Sequence, residues 1–279
     1  MFCYFSPING ENSFTRKALG QFVSKYVPKP LQGSALLVIR AMQKWFSRPF
    51  RKIKYFGFTY YCPVCRSPLR TFQPLIQEDY QRLHAKSCPV CTSMERHRWV
   101  WIFLNTQSNL FDRTPKKMLH IAPERPFTSL FRKIPNMDYL SGDLCPGRAM
   151  ECIDITRIQY SDESFDVIYC SHVLEHVPDD TKAIQEFYRV LGRDGWALVV
   201  VPVLREETFE DWSVTEPEDR LRVFRHPEHV RICGRDYKDR FEAAGFSVEV
   251  IDPEDVLSEE QIKRLGLIRE PLFFCKKGS

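Results

Sequence analysis

The chain has 279 residues, 43% of them hydrophobic, and a net charge of +4, which suits a large domain or a domain plus a smaller module and excludes a disordered or fibrous chain. No window approaches the roughly 20 apolar residues of a membrane span, and the opening MFCYFSPINGEN lacks the basic and apolar regions of a secretion signal, so a cytoplasmic setting is expected. Of the ten cysteines, four fall in two Cys-Pro-Val-Cys pairs and six are scattered (Cys3, Cys145, Cys152, Cys170, Cys233, Cys275), a pattern that disfavours a disulfide scaffold.

The positive charge is concentrated at the start. Residues 1–60 hold ten Lys or Arg against Glu11 alone, a balance of +9 that leaves −5 for the rest. Within this part, 35–46 (ALLVIRAMQKWF) predicts an amphipathic helix with Arg40 and Lys44 on its polar side, set off by Pro28, Pro30 and Pro49. A basic helix with aromatic flanks suits the surface of an anionic membrane or a nucleic-acid backbone. A helix packed on the rest of the molecule with a solvated basic face fits equally well. Residues 1–57 are therefore set apart as a basic amphipathic segment.

A module over 58–112 follows. Cys62-Pro-Val-Cys65 is separated by twenty-two residues from Cys88-Pro-Val-Cys91, and two such turns present four thiolates to one tetrahedral zinc ion. Four thiolates close the coordination shell, so the ion is expected to be structural. A redox dithiol is the rival reading, weakened by the presence of two matched pairs. His97 is near in sequence but has the wrong spacing to replace a cysteine.

From 113 to 279 strand and helix signals alternate. Strands are predicted at 117–121 (KMLHI), 138–141 (DYLS), 150–153, 167–170 and 196–203, the last introduced by the turn signal Asp194-Gly195. Between the last two, 181–191 places Ala183, Ile184, Phe187, Val190 and Leu191 on one helical stripe, with Asp179-Asp180 before it and Gly192 after it. A helix near 236–244 and strands at 246–251 and 272–275 complete the pattern. The alternation predicts an α/β fold with a doubly wound sheet.

Ligands of open parallel sheets lie beyond the carboxyl ends of the strands, where Ser171, His172, Glu175 and His176 fall. Asp143 ends the second strand, where an acid can accept both hydroxyls of a ribose, and Asp154 ends the third, where it can take an adenine amino group. Either acid alone is a weak signal. Combined with SDESFDVIYCSHVLEHV and RVLGRDGWALVVVPV, the pattern resembles the class I S-adenosylmethionine-dependent methyltransferases over about 115–276. The resemblance implies a Rossmann-like, mostly parallel sheet with an antiparallel last strand. It also implies a cofactor contacted by His120, Ala122, Glu124, Asp143, Leu144, Asp154, Ile155 and Ser171. The family's glycine-rich first loop is replaced here by Ala122-Pro123-Glu124-Arg125-Pro126. The lack of glycine speaks against a dinucleotide pyrophosphate but is tolerable for the methionine half of the cofactor, whose ammonium group Glu124 could meet. An insertion over about 204–235 looks like that of a bacterial methyltransferase subgroup often associated with surface glycans, and would bring His226, His229, Arg231 and Tyr237 to an acceptor pocket.

Methyl transfer to a hydroxyl requires alignment and removal of a proton, and His172 is the first candidate base, with Glu175 and His176 as its neighbours in the site. The same residues match the H-x-x-E-H motif of a zinc protease class, which needs a long helix rather than a strand end. They could alternatively hold a divalent ion beside the acceptor, as in ubiquinone-type O-methyltransferases. The leading expectation is a methyltransferase that methylates an oxygen of a small molecule or glycan. RNA methylation, with the cysteine module and basic segment on the RNA, is the alternative; the acidic catalytic half weighs against it. A non-catalytic scaffold with a degenerate methyltransferase fold is the third.

Overall fold

The computed structural model describes residues 48–74 and 86–278. The helix expected over 35–46 lies outside them, as does Cys3. Four short strands carry the cysteine pairs: β1 (Tyr60–Cys62) with β2 (Ser67–Leu69), and β3 (Gln73–Pro74) with β4 (Lys86–Ser87), both antiparallel. Helix α1 (Glu95–Thr106) follows the second pair directly and buries Trp99, Val100, Phe103 and Leu104.

A seven-stranded sheet forms the body. Strands β5 (Lys116–Ile121), β6 (Met137–Asp143), β7 (Glu151–Cys152), β8 (Phe165–Ser171) and β9 (Leu191–Val200) are mutually parallel. The remaining two, β13 (Phe246–Ile251) and β14 (Leu272–Lys277), pair antiparallel to one another, and β14 pairs antiparallel to β9. The order β13-β14-β9-β8-β5-β6-β7 reverses direction outward from β5. The sheet is Rossmann-like, mostly parallel with β14 antiparallel.

Alternation along the strands sends side chains to two apolar layers. Met118, Val167, Tyr169, Leu198 and Phe274 face Trp99 and Phe103 of α1 and Phe127 and Phe131 of α2 (Arg125–Phe131). On the opposite face, Leu119, Ile168, Ala197 and Phe273 meet Ala183, Ile184 and Phe187 of α3 (Asp180–Val190). That helix begins where expected, with the Asp179 carboxylate accepting the Lys182 amide at 3.0 Å.

Three elements differ from the sequence expectation. Strand β9 begins at Leu191, so Asp194-Gly195 lies inside it at a pairing irregularity; Asp194 has φ +61°. A side chain at Gly195 would meet the Gly192 and Asp166 carbonyls at 2.9 and 3.0 Å, which explains the glycine there. The strand stops at Val200 instead of 203, because Pro202 has no amide to donate. The insertion after it has its own secondary structure: β10 (Val203–Arg205), β11 (Phe209–Glu210) and β12 (Arg231–Gly234) form a small sheet, and α4 (Pro217–Phe224) sits between the last two strands in sequence. The helix expected over 236–244 is divided into a 3-10 turn, Arg235–Tyr237, and α5 (Lys238–Ala243).

Candidate active site and cysteine centre

The five parallel strands open their carboxyl ends along one edge, and most of the expected site residues collect there. At the end of β5, Ala122 has φ +46° and donates its amide to the Gly142 carbonyl at 2.8 Å. The left-handed conformation costs a residue with a Cβ about 1–2 kcal/mol, so alanine stands in a conformation that favours glycine. Asp143 ends β6; one of its carboxylate oxygens takes the Cys145 amide at 2.8 Å, and its carbonyl takes the Ile153 amide at 3.0 Å. Leu144 beside it is half-buried. After β7, Asp154 is exposed, with Oδ1 accepting from the amide and hydroxyl of Thr156 at 2.9 and 2.8 Å, and Ile155 is buried. In both acids these bonds use Oδ1.

At the end of β8, Ser171 is buried and His172 has φ +55°, its amide bonded to the Val200 carbonyl at 2.8 Å. His172 Nδ1 lies 3.3 Å from Glu175 Oε1, and the Glu175 side chain is 1% exposed. Glu175 and His176 belong to a 3-10 turn, Leu174–His176. The first histidine therefore sits at a strand end in left-handed backbone and the second on a short turn, which removes the two-histidine helical face a zinc protease requires.

His176 turns from His172 toward the insertion, where its ring meets those of His226 and His229 at centroid distances of 5.1 and 4.6 Å. His226 and His229 stack at 4.3 Å with 19° between their planes. The Glu228 peptide lies among them, its amide donating to His226 Nδ1 at 3.0 Å and its carbonyl 3.3 Å from His176 Nδ1. Burial lowers both His176 and His226 to about 4, so the rings are neutral at neutral pH. A neutral His226 that accepts at Nδ1 keeps its proton on Nε2. The ligand atoms of His176, His226 and His229 lie within 4.8 Å of one another, close enough to share a metal ion.

Several expected contacts take other roles. Arg231, expected at an acceptor pocket, is fully buried; it donates to the Leu174 and Val177 carbonyls at 2.6 Å each, to Pro178 O at 3.0 Å and to Glu210 at 2.5 Å. Tyr237 is likewise buried and donates its hydroxyl to Asp180, which also receives Arg240 at 2.8 Å. Both residues fasten the insertion to the start of α3, and neither reaches an acceptor, because their polar atoms are spent inside the fold. His120 is fully buried, with Nδ1 2.9 Å from the Tyr139 hydroxyl and Nε2 accepting the Glu124 amide at 3.3 Å. It supports the first loop from behind. Burial lowers it to about 4.

Glu124 is turned toward α1 rather than toward a cofactor ammonium group. Its Oε1 receives Arg96 Nη2 at 2.9 Å and His97 Nε2 at 2.6 Å, and its Oε2 receives the Tyr169 hydroxyl at 2.8 Å. Burial pushes the carboxyl up, but His97 and Arg96 outweigh it and hold the group well below the usual carboxylate range. His97 Nδ1 accepts the Met94 amide at 2.8 Å, which fixes the proton on Nε2. Arg96, His97 and Tyr169 were not signalled by sequence spacing, since they belong to different elements and meet only in three dimensions.

The four cysteines do come together. Cys62 and Cys91 sulfurs are 3.6 Å apart and those of Cys65 and Cys88 3.7 Å, with all four within 4.8 Å. Thiolates about 2.3 Å from one tetrahedral zinc stand about 3.8 Å apart, so the set fits the ion. The Ser93 hydroxyl lies 3.2 Å from the sulfurs of Cys62 and Cys91, as an outer partner that would orient them. In each knuckle the residue after the second cysteine, Arg66 or Thr92, adopts positive φ to complete the turn.

Residues 134–199 match the family model described as a methyltransferase domain, a stretch that includes Asp143, Asp154, His172, Glu175 and His176. An uncharacterized protein of Methanocaldococcus jannaschii is 36% identical over 67 residues, 23% of this chain and 29% of its own. The uncharacterized methyltransferase YcgJ of Bacillus subtilis is 36% identical over 74 residues, 26% and 28% of the two chains. The chain thus spans under a third of the length of these curated relatives. Among solved structures, YcgJ of Bacillus subtilis is 19% identical with TM-score 0.41, covering 65% of this chain and 94% of its own. A SAM-dependent methyltransferase from Archaeoglobus fulgidus is 15% identical with TM-score 0.44, covering 64% and 93%.

Proposed function

We propose that the chain is an S-adenosylmethionine-dependent methyltransferase that methylates an oxygen of a small-molecule or glycan acceptor, with a structural zinc ion in its four-cysteine module. The observation that carries this reading is the placement of Asp143, Asp154 and His172 along one sheet edge inside the stretch that matches a methyltransferase domain. Asp143 would accept the ribose hydroxyls and Asp154, backed by Ile155, the adenine amino group. The cofactor supplies a methyl group on a sulfonium. The protein's part is to align the acceptor and take its proton. His172, with Nδ1 facing the buried Glu175 carboxylate, would act as base, and Glu175 would steady the imidazolium that results.

The experiment is calorimetric titration with S-adenosylhomocysteine, followed by transfer of labelled methyl from S-adenosylmethionine to a panel of hydroxyl acceptors. Binding should be lost in Asp143→Ala. His172→Gln should keep it while turnover falls by about 10²–10⁴. Absence of binding in the unaltered protein would leave a scaffold.

Membrane-surface association also belongs to this reading. In residues 48–58 Phe50, Ile53, Phe56 and Phe58 are 54–78% exposed beside Arg48, Arg51, Lys52 and Lys54. Apolar and basic side chains together match an anionic bilayer, where lipid-linked acceptors reside.

A further inference from the structure

We propose that the four-cysteine module is part of the cofactor site: Arg96 and His97, carried on α1 immediately after the second cysteine pair, position the first loop through Glu124. This deepens the methyltransferase reading and rests on it. The path is short and continuous. Cys91 closes the second knuckle, where the Ser93 carbonyl receives the Cys88 amide at 2.8 Å and Arg98 Nη1 at 2.9 Å. Met94 caps α1, and Arg96 and His97 in its first turn grip the Glu124 carboxylate. Glu124 in turn caps α2, its carbonyl receiving the amides of Phe127 and Thr128 at 3.0 Å each. It stands two residues after Ala122, whose left-handed backbone turns the chain away from β5.

A glycine-rich loop is shaped by its own backbone freedom, whereas this loop contains Ala122 and Pro123 and is held from outside by a buried carboxylate. Arg96 and Glu124 are 17% and 11% exposed, so the pair is largely removed from water. Removing Arg96 would leave that charge without its guanidinium partner, and the loop would relax toward solvent. If the zinc knuckle loosens, the start of α1 shifts and the same grip is lost. Arg96, His97 and Tyr169 are accordingly positioning residues, acting on the ligand only through the loop.

The test uses the zinc-loaded full chain, with S-adenosylhomocysteine affinity by calorimetry, zinc content, and hydrogen–deuterium exchange of a peptide covering 118–127. Arg96→Gln should weaken binding about tenfold or more and speed exchange of that peptide, with one zinc per chain retained. Arg96→Lys should recover part of the loss. Chelator removal of zinc from the unaltered protein should speed the same peptide. Should Arg96→Gln fail to fold, Tyr169→Phe removes only the Oε2 contact, and a several-fold loss is expected. Affinity within twofold and unchanged loop exchange in these variants would overturn the coupling, as would a zinc-free protein with full loop protection. An unaltered protein that does not bind S-adenosylhomocysteine would instead sink the methyltransferase reading, and the exchange comparison would still decide whether the module holds the loop.

Discussion

Ala122 and His172 both hold left-handed backbone at the carboxyl ends of adjacent parallel strands, with φ +46° and +55°. Strain of this kind persists where surrounding structure over-determines it and concentrates at functional sites. For Ala122 the two opposing terms can be compared. Relief of left-handed strain is worth about 1–2 kcal/mol, while glycine's extra unfolded-state entropy costs about 0.4–1 kcal/mol. Ala122→Gly should therefore leave the protein as stable or up to about 1.6 kcal/mol more so in urea unfolding, whereas Ala122→Val, with a branched side chain at positive φ, should lower stability clearly. A loss on Ala122→Gly would mean that the methyl contributes packing that outweighs the strain.

At the scale of elements, Arg231 and Tyr237 fasten the insertion, and Arg231 makes the larger set of bonds. Arg231 is buried, its guanidinium bonded to three carbonyls of the 173–178 stretch and to Glu210, with Asp180 at 3.5 Å. Removing one partner of such a network leaves uncompensated polar groups and costs about 3–5 kcal/mol. Arg231→Met should lower the melting temperature by about 6–20 °C, by the usual conversion for a chain of this size, and a fall under about 3 °C would show that the network is dispensable. The sequence reading placed Arg231 in an acceptor pocket because an arginine in a charged loop has no periodicity to mark it as buried. The sheet, by contrast, was legible: β5 and β8 contain short apolar runs, β13 interleaves apolar and polar residues, and α3 carries its stripe and its Asp179 cap in the open. The knuckles could be read from spacing alone. The Glu124 clasp could not, since its four contributors lie on α1, the first loop and β8 and their meeting depends on tertiary packing.

For the molecule as a whole, charge and burial make two separate conditions for stability and location. The basic, aromatic stretch at 48–58 should carry the protein onto vesicles containing anionic lipid, and not onto neutral ones, in a sedimentation assay. Binding should fall at 0.5 M salt, where screening reaches within a few ångströms, and in Phe50→Ser/Ile53→Ser; binding insensitive to both would remove the membrane role. The condition on pH comes from the interior. His120, His176 and His226 are each lowered to about 4 by burial, against an ordinary value of 6.5. Between those limits the unfolded chain takes up protons that the folded one refuses, so stability is full above pH 6.5 and drains away as the pH falls toward 4. Glu124 adds to the slope once the pH falls below its ordinary value of 4.5, where the unfolded chain protonates it, and its contribution drains away down to its much lower folded value. The melting temperature should accordingly drop steadily from pH 6.5 to 4.5, and a His226→Gln variant, which retains a hydrogen-bonding side chain without the titration, should show a shallower slope. A melting temperature flat across that interval would mean that these rings are solvated and charged in the folded protein, and the histidine cluster beside the insertion would then be an open one.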